Sequence, residues 1–114
     1  KSQVMNVVGN VKGKTCIITD DIIDSGGTIV NAADALIKRG AKEVYVYVTH
    51  GVLSGEAVEK IKKSKIKNLV VTDTIDNSDK VKKSRNIEVL SISNLLAEAM
   101  KRISNSTSVS DLFK

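Results

Sequence analysis

The chain has 114 residues, 41% of them apolar and 27% charged, which suits one small folded domain and excludes a disordered chain. Its apolar runs are too short to cross a bilayer, and its single cysteine, Cys16, excludes an internal disulfide and fits a reducing, cytoplasmic compartment. The net charge is +5, and lysines are concentrated between Lys60 and Arg85, where no aromatic side chains are interleaved to stack on bases. We therefore expect a solvated basic surface, with neither a membrane nor a nucleic acid as partner.

The first half of the chain alternates between strand and helix patterns. The run "VMNVVG" predicts a short strand, "NVKGK" a turn, and "TCIITD" a strand buried on both faces, with Cys16 in the core. From Thr28 the period becomes helical, and Gly40 closes that helix before "EVYVYVTH" predicts the next strand. The apolar face of the helix consists of Ile29, Ala32, Ala33, Leu36 and Ile37.

The second half continues the alternation. "SGEAVEKIKKS" predicts a shorter helix, and "NLVVTD" and "IEVLSI" predict two strands. The polar segment 73–85 between them is long for a plain connection, so it holds a short helix or a functional loop. Ser93 is expected to cap a last helix, and residues 105–114 form a polar tail. The buried side of the last helix is expected to consist of Leu95, Leu96, Ala99, Met100 and Ile103.

This order of elements predicts βαβ units, and hence an α/β fold with a parallel sheet between two layers of helices. Ligands of such sheets bind outside the carboxyl ends of the strands. In "CIITDDIIDSGGT", Asp20 and Asp21 follow a strand directly, and Ser25 to Thr28 stand where a helix begins. Because a helix start offers free N–H groups and carboxylates accept hydrogen bonds from hydroxyls, the stretch predicts a site for a phosphate beside a polyol.

Asp24 and His50 each have two interpretations. Asp24 could cap the helix or act as a base on a substrate hydroxyl, and of the two we favour the cap. His50, the only histidine, follows a strand and is interpreted as a hydrogen-bonded loop residue rather than a functional one.

The stretch "CIITDDIIDSGGT" resembles the phosphoribosyl-pyrophosphate binding motif of the type I phosphoribosyltransferase fold. Beyond that motif, "SQVMNVVGNVKGKTCIITDD", "AADALIKRGAKEVYVYVTHGVLSGEA", "VVTDTI", "SISNLLAEAMKRIS" and "SVSDLF" resemble the ribose-phosphate pyrophosphokinase family. The resemblance covers essentially all of the chain. It implies a phosphoribosyltransferase-like fold in which residues 1–114 are most of a C-terminal domain, with 105–114 as its tail.

The resemblance also implies roles for residues. Asp20 and Asp21 would bind ribose hydroxyls, and the loop from Asp24 to Thr28 would bind the 5-phosphate. Asn105, Ser108 and Ser110 would belong to a regulatory site for phosphate and ADP at a subunit interface. The substrate-binding residues implied in this way are Asp20, Asp21, Asp24, Ser25, Gly26, Gly27 and Thr28.

The activity that the resemblance implies is transfer of the pyrophosphoryl group of ATP, with Mg²⁺, to the C1 hydroxyl of ribose 5-phosphate. The products would be phosphoribosyl pyrophosphate and AMP, made by a hexamer built from dimers. The family's first domain and the Lys and Arg of its catalytic loop have no counterpart in this sequence, so most ligands of the magnesium ion are expected outside it. We therefore expect the isolated chain to bind weakly and not to catalyse.

Two other functions stay open on the sequence. A phosphoribosyltransferase would share the loop but transfer the ribose phosphate to a base, although no base-binding segment is identified. A non-catalytic, regulatory homologue of the synthetase would keep the fold and serve assembly. The intact "DDIIDSGGT" favours a working site over the regulator.

Overall fold

The computed structural model describes residues 9–106 and 108–113, without the side chain of Phe113. The elements follow the alternation expected from the sequence, and the last helix is followed by one turn of 3₁₀ helix at Ser110–Phe113. The strand predicted from "VMNVVG" lies outside the described residues apart from Gly9. The elements are β1 Thr15–Ile23, α1 Gly27–Lys38, β2 Glu43–Gly51, α2 Ala57–Lys63, β3 Ile66–Thr72, α3 Ser78–Val81, β4 Ile87–Leu90 and α4 Ser93–Ser104.

The four strands form one parallel sheet in the order β1-β2-β3-β4. Each strand pairs with the next one along the chain, as expected where helical crossovers join parallel neighbours. This confirms the α/β class with a parallel sheet flanked by helices. All four carboxyl ends therefore lie at one edge of the sheet, which is the edge where such folds bind ligands.

The core lies between one face of the sheet and helices α1 and α2. Val44 and Val46 of β2 and Leu69 of β3 are fully buried there, beneath Ala33 of α1 and Ile61 of α2. Cys16 is half-buried and packs against this core, in agreement with the structural role predicted for it. Burial of these aliphatic side chains is the main stabilising contribution that the described residues supply.

The opposite face of the sheet is largely open within the described residues. Ile17, Tyr47 and Leu90 lie on that face, and their side chains are 60%, 48% and 56% exposed. The prediction that "TCIITD" is buried on both faces is therefore wrong for this part of the chain, because no described element covers Ile17. The second helical layer of the prediction is not completed by the described residues.

Helix α4 lies in the predicted segment but begins at Ser93 itself, and its apolar side chains are not buried. Leu96, Met100 and Ile103 are 53%, 69% and 68% exposed, and no residue of α4 is buried. An apolar stripe is buried only where another element covers it, and the described residues supply no such element. Ser93 does not cap the helix either, since the cap position is occupied by Ile92 and the N–H of Ser93 itself donates to the hydroxyl of Ser91 at 3.2 Å.

The long polar connection between β3 and β4 contains the short helix α3, as one of its two interpretations required. Asn77, at the start of α3, is the one buried polar residue among those described, and its Nδ2 donates to the carbonyl of Gly51 at 2.6 Å. The connection thus packs against the end of β2.

Among the helices in the described ranges, none is long and apolar enough to span a bilayer.

Candidate functional site

Asp20 and Asp21 lie inside β1 rather than after it. The strand continues to Ile23 because its pairing with β2 extends to Ile23 opposite Gly51, so the predicted strand end is corrected by three residues. Neighbouring side chains of a strand point to opposite faces, so the two carboxylates diverge. The N–H of Asp21 also donates to Oδ1 of Asp20 at 2.8 Å, which fixes the orientation of the Asp20 carboxylate.

A cavity of about 230 Å³ opens where β1 meets α1. Its lining includes five of the seven residues that were predicted from the sequence to bind a sugar phosphate. Asp21 and Gly27 are not part of its lining. The cavity is lined by Asp20, Ile22, Ile23, Asp24, Ser25, Gly26, Thr28 and Ile29.

The start of α1 forms one wall of this cavity. Gly26 occupies the cap position with φ +86°, a left-handed conformation in which glycine carries no Cβ penalty. No side chain of the described residues caps the helix, and its first backbone bond runs from the N–H of Val30 to the carbonyl of Gly26 at 3.0 Å. The N–H groups of Gly27, Thr28 and Ile29 therefore precede the first intrahelical bond and remain available to an anion.

The carboxylate of Asp24 does not cap α1, so the favoured interpretation of this residue is wrong. Its Oδ1 instead accepts a hydrogen bond of 2.5 Å from the hydroxyl of Ser54, in the connection between β2 and α2. Among residues 9–106 and 108–113, no group bonds to its other oxygen, Oδ2. Asp24 thus lines the cavity, with Oδ1 bonded to Ser54 and Oδ2 without a hydrogen bond from the described residues.

Ser54 was not identified from the sequence, although a signal was present. Asp24 is the first residue after β1, and Ser54 is the third after the neighbouring strand β2. Connections that follow adjacent parallel strands leave the sheet at the same edge. The two residues are thirty positions apart in the sequence, so the contact could be found only from the order of the strands.

His50 lies at the same edge of the sheet, inside β2 rather than in a loop. Its Nδ1 is 2.8 Å from the hydroxyl of Thr74, just after β3, so the predicted hydrogen-bonded role is confirmed and only its position in a loop is corrected. Asp73, beside Thr74, accepts from the N–H of Ile92 at 3.0 Å, and this bond, with one from Ser91, lowers the pKa of the Asp73 carboxyl. These contacts join the carboxyl ends of β2, β3 and β4.

The three residues predicted for a regulatory site lie at the other end of the chain, around the end of α4. Asn105 follows the last helical residue, and its N–H donates to the carbonyl of Lys101 at 3.0 Å. The hydroxyls of Ser108 and Ser110 are 2.8 Å apart, and Arg102 donates from Nη1 to the carbonyl of Ser108 at 3.1 Å. The serines therefore form a pair beside a cation.

The described residues offer no ready metal centre of their own. No group of three or more histidine, cysteine, aspartate or glutamate side chains in the described ranges is arranged to hold a metal ion. The neighbouring carboxylates Asp20 and Asp24 lie on the cavity, but Asp24 has one oxygen already bonded to Ser54. The side chains present thus suit a hydrogen-bonded polyol better than an enclosed cation.

The chain is similar to proteins of one kind. The family model described as "Phosphoribosyl synthetase-associated domain" matches residues 1–114. Proteins named ribose-phosphate pyrophosphokinase from Bradyrhizobium diazoefficiens and Hyphomonas neptunium are 58% and 59% identical to it over 113 residues. Each alignment covers 99% of this chain and 36% of the relative, so the chain spans about a third of the length of these relatives.

A solved structure agrees with the sequence comparisons. The crystal structure of phosphoribosylpyrophosphate synthetase from Mycobacterium smegmatis superimposes with a TM-score of 0.84 at 42% sequence identity, covering 93% of this chain and 35% of that one. The sequence comparisons and the structural comparison therefore identify the same kind of protein. The chain belongs to the phosphoribosyl synthetase-associated domain family.

Proposed function

We propose that this chain is the ribose 5-phosphate-binding part of an enzyme that transfers the pyrophosphoryl group of ATP to ribose 5-phosphate. The observation that carries the proposal is the cavity at the start of α1, which places Asp20 and Asp24 beside an uncapped helix start. The names of the relatives support the reaction and favour it over transfer of ribose phosphate to a base. In this reaction the C1 hydroxyl attacks the β-phosphorus of ATP, and AMP leaves.

In the proposed complex the 5-phosphate lies on the N–H groups of Gly27, Thr28 and Ile29, with the hydroxyl of Thr28 as a further donor. Such charge-assisted bonds are shorter and stronger than those between neutral groups. The left-handed conformation of Gly26 turns the backbone into the helix at this point. The phosphate therefore needs no lysine or arginine from this part of the chain.

The carboxylates give the site its preference for a sugar ester over phosphate alone. Asp20 and Asp24 both line the cavity. In the proposed complex Asp20 accepts hydrogen bonds from ribose hydroxyls, and the oxygen of Asp24 that is not bonded to Ser54 is directed to the sugar. A carboxylate bonded to a substrate hydroxyl can orient it or accept its proton as it attacks. We assign Asp24 to the C1 hydroxyl and Asp20 to the other hydroxyls; Asp21, which points to the opposite face of β1 and is not part of the cavity lining, has no contact with the sugar in this arrangement.

The proposal extends to the remainder of the enzyme. ATP enters with Mg²⁺ as a substrate complex, and the groups that stabilise the transferring phosphates lie outside this sequence. Ser108 and Ser110, with Asn105, form part of a site for phosphate or ADP between subunits of a cytoplasmic homo-oligomer. The isolated chain binds ribose 5-phosphate weakly and does not convert it.

Titration of the chain with ribose 5-phosphate, followed by amide NMR, tests the binding. We expect shifts at Ser25 to Thr28, smaller shifts with inorganic phosphate, and none with ribose. Asp20→Asn should weaken binding of ribose 5-phosphate several-fold and leave phosphate binding unchanged or tighter, because a repelling charge is removed. Asp79→Asn, at an exposed acid in α3, is the matched control. Absence of shifts at the helix start would contradict the proposal.

The reaction is tested in a chimera in which this chain replaces the matched third of the Bradyrhizobium diazoefficiens relative. Formation of AMP from ATP and ribose 5-phosphate is the expected result. A chimera that assembles and binds both substrates without forming AMP would instead favour the regulatory homologue. Turnover by the 114-residue chain alone would refute the inactivity proposed for it.

A further inference from the structure

The connection between β2 and α2 is held against the end of β1 by backbone hydrogen bonds. The N–H of Val52 donates to the carbonyl of Ile23 at 2.9 Å, and the N–H of Ser54 donates to the carbonyl of Asp24 at 3.0 Å. Residues 52–54 therefore run directly beside the residues that enter the candidate sugar-phosphate cavity. Their position fixes which side chain faces Asp24.

Side chains from the region of α3 hold the same connection from the other side. Lys80 donates from Nζ to the carbonyls of Val52 and Leu53, each at 3.2 Å. Asn77 donates to the carbonyl of Gly51, while its own Oδ1 is buried and accepts no hydrogen bond from the described residues. An unpaired buried oxygen is costly, so the orientation of this amide is set by its bond to Gly51.

Leu53 shows that the connection adopts a conformation that its sequence does not favour locally. Its φ is +52°, in the left-handed region, and its side chain is buried in the core with 1% exposed. A non-glycine residue stays in that region only where the surrounding structure over-determines it. Here the buried side chain and the two bonds from Lys80 do so, and the next residue is Ser54.

We propose that Ser54 is a positioning residue for Asp24. Its hydroxyl holds Oδ1 at 2.5 Å, so that Oδ2 is presented to the substrate hydroxyl rather than to the helix start. A carboxylate held in this way is also prevented from occupying the N–H groups that the phosphate needs. This inference rests on the proposed function, since it assigns the purpose of a contact within that site.

A simpler interpretation is that the bond only fastens two connections together. In that case loss of the hydroxyl would loosen the loop and weaken every ligand of the site equally. Positioning predicts a selective effect, because the phosphate binds backbone amides and only the sugar needs the carboxylate in place. The two interpretations therefore differ in how phosphate and ribose 5-phosphate respond.

The experiment measures the affinity of the chain for ribose 5-phosphate and for inorganic phosphate in Ser54→Ala and Ser54→Thr. We expect Ser54→Ala to weaken ribose 5-phosphate binding on the order of 10-fold, as for loss of a bond to a charged group, with phosphate binding unchanged. Ser54→Thr keeps the hydroxyl and should restore most of the affinity. Ser64→Ala is the matched control: outside the cavity lining, it removes a hydroxyl that donates to the carbonyl of Ile61 at 2.7 Å and accepts from the N–H of Ile66 at 3.1 Å.

Three results would overturn the inference. Ser54→Ala could weaken both ligands equally, or it could weaken neither, or Ser54→Thr could fail to restore binding. In each case the unmodified chain still binds ribose 5-phosphate, so the proposed function stands. Failure of the unmodified chain to bind ribose 5-phosphate at all would instead remove the proposed function, and the role of Ser54 with it.

Discussion

Replacement of the two adjacent glycines at the start of α1 tests whether the loop needs its left-handed residue. Gly26→Ala and Gly27→Ala are the same chemical change one residue apart. Gly26 has φ +86°, whereas no left-handed φ is found at Gly27, the first residue of the helix. The two variants should therefore change the free energy of unfolding with opposite signs.

The magnitude follows from the backbone, because neither site is crowded. A Cβ on Gly26 would lie 3.6 Å from Cδ1 of Ile61 and 3.8 Å from Cβ of Ala57, which is ordinary contact, and nothing lies within 4 Å at Gly27. Alanine in the left-handed region costs about 1–2 kcal/mol. Both variants gain about 0.4–1 kcal/mol by restricting the unfolded chain, so this contribution cancels between them.

Urea unfolding of both variants and the unmodified chain measures the difference. We expect Gly26→Ala to be less stable than Gly27→Ala by about 1–2 kcal/mol, a difference in midpoint on the order of 0.5–1 M. The slope with urea should be the same in all three proteins. Equal stability of the two variants, or greater stability of Gly26→Ala, would refute the assignment of a left-handed conformation to the loop.

Two further predictions concern the sheet and its carboxyl edge. Leu69→Ala, at a fully buried residue of β3, should lower the free energy of unfolding by about 2–5 kcal/mol. Leu90→Ala, on the open face of the sheet, should change the free energy of unfolding by less than about 0.5 kcal/mol. Similar losses for the two variants in urea unfolding would contradict a core on one face of the sheet. Asp73 should titrate below the ordinary range for aspartate in carboxyl NMR, because the N–H of Ile92 stabilises its ionised form. A lowered pKa means that this stabilisation is present at neutral pH and is lost as the pH falls through the pKa of the folded state; titration at or above the ordinary value would contradict the contact.

The sequence predicted the order of elements well because the periodic signal is strong in each of them. The helical period from Ile29 to Ile37 identifies the inner face of α1, and Gly40, with φ +95°, follows the helix as predicted. Alternation of strands and helices was enough to predict a parallel sheet. These features depend on the local sequence pattern and on the handedness of crossover connections, and neither depends on residues elsewhere in the chain.

Features that depend on distant partners were predicted less well. The extension of β1 through Asp20 and Asp21 runs against the low strand propensity of aspartate, and pairing with β2 decides it. The apolar face of α4 was predicted as buried, but burial requires a covering element that local periodicity cannot supply. The contact between Ser54 and Asp24 joins residues thirty positions apart and has no local signature.

The proposed site brings two acids near a phosphate, and the magnitudes explain how both can be held. At a separation of roughly 6 Å, a carboxylate and a singly charged phosphate oxygen repel by about 0.7 kcal/mol in water and about 3 kcal/mol at an effective dielectric constant of 20. Each hydrogen bond from a backbone N–H to a charged group contributes about 1.5–3 kcal/mol. Three free amides at the start of α1 thus offset the repulsion by Asp20, whose cavity is open to solvent. With the carboxylate of Asp24 on the amides those bonds would be lost, so in the proposed site its bond to Ser54 would keep the amides open to the phosphate as well as place the sugar contact.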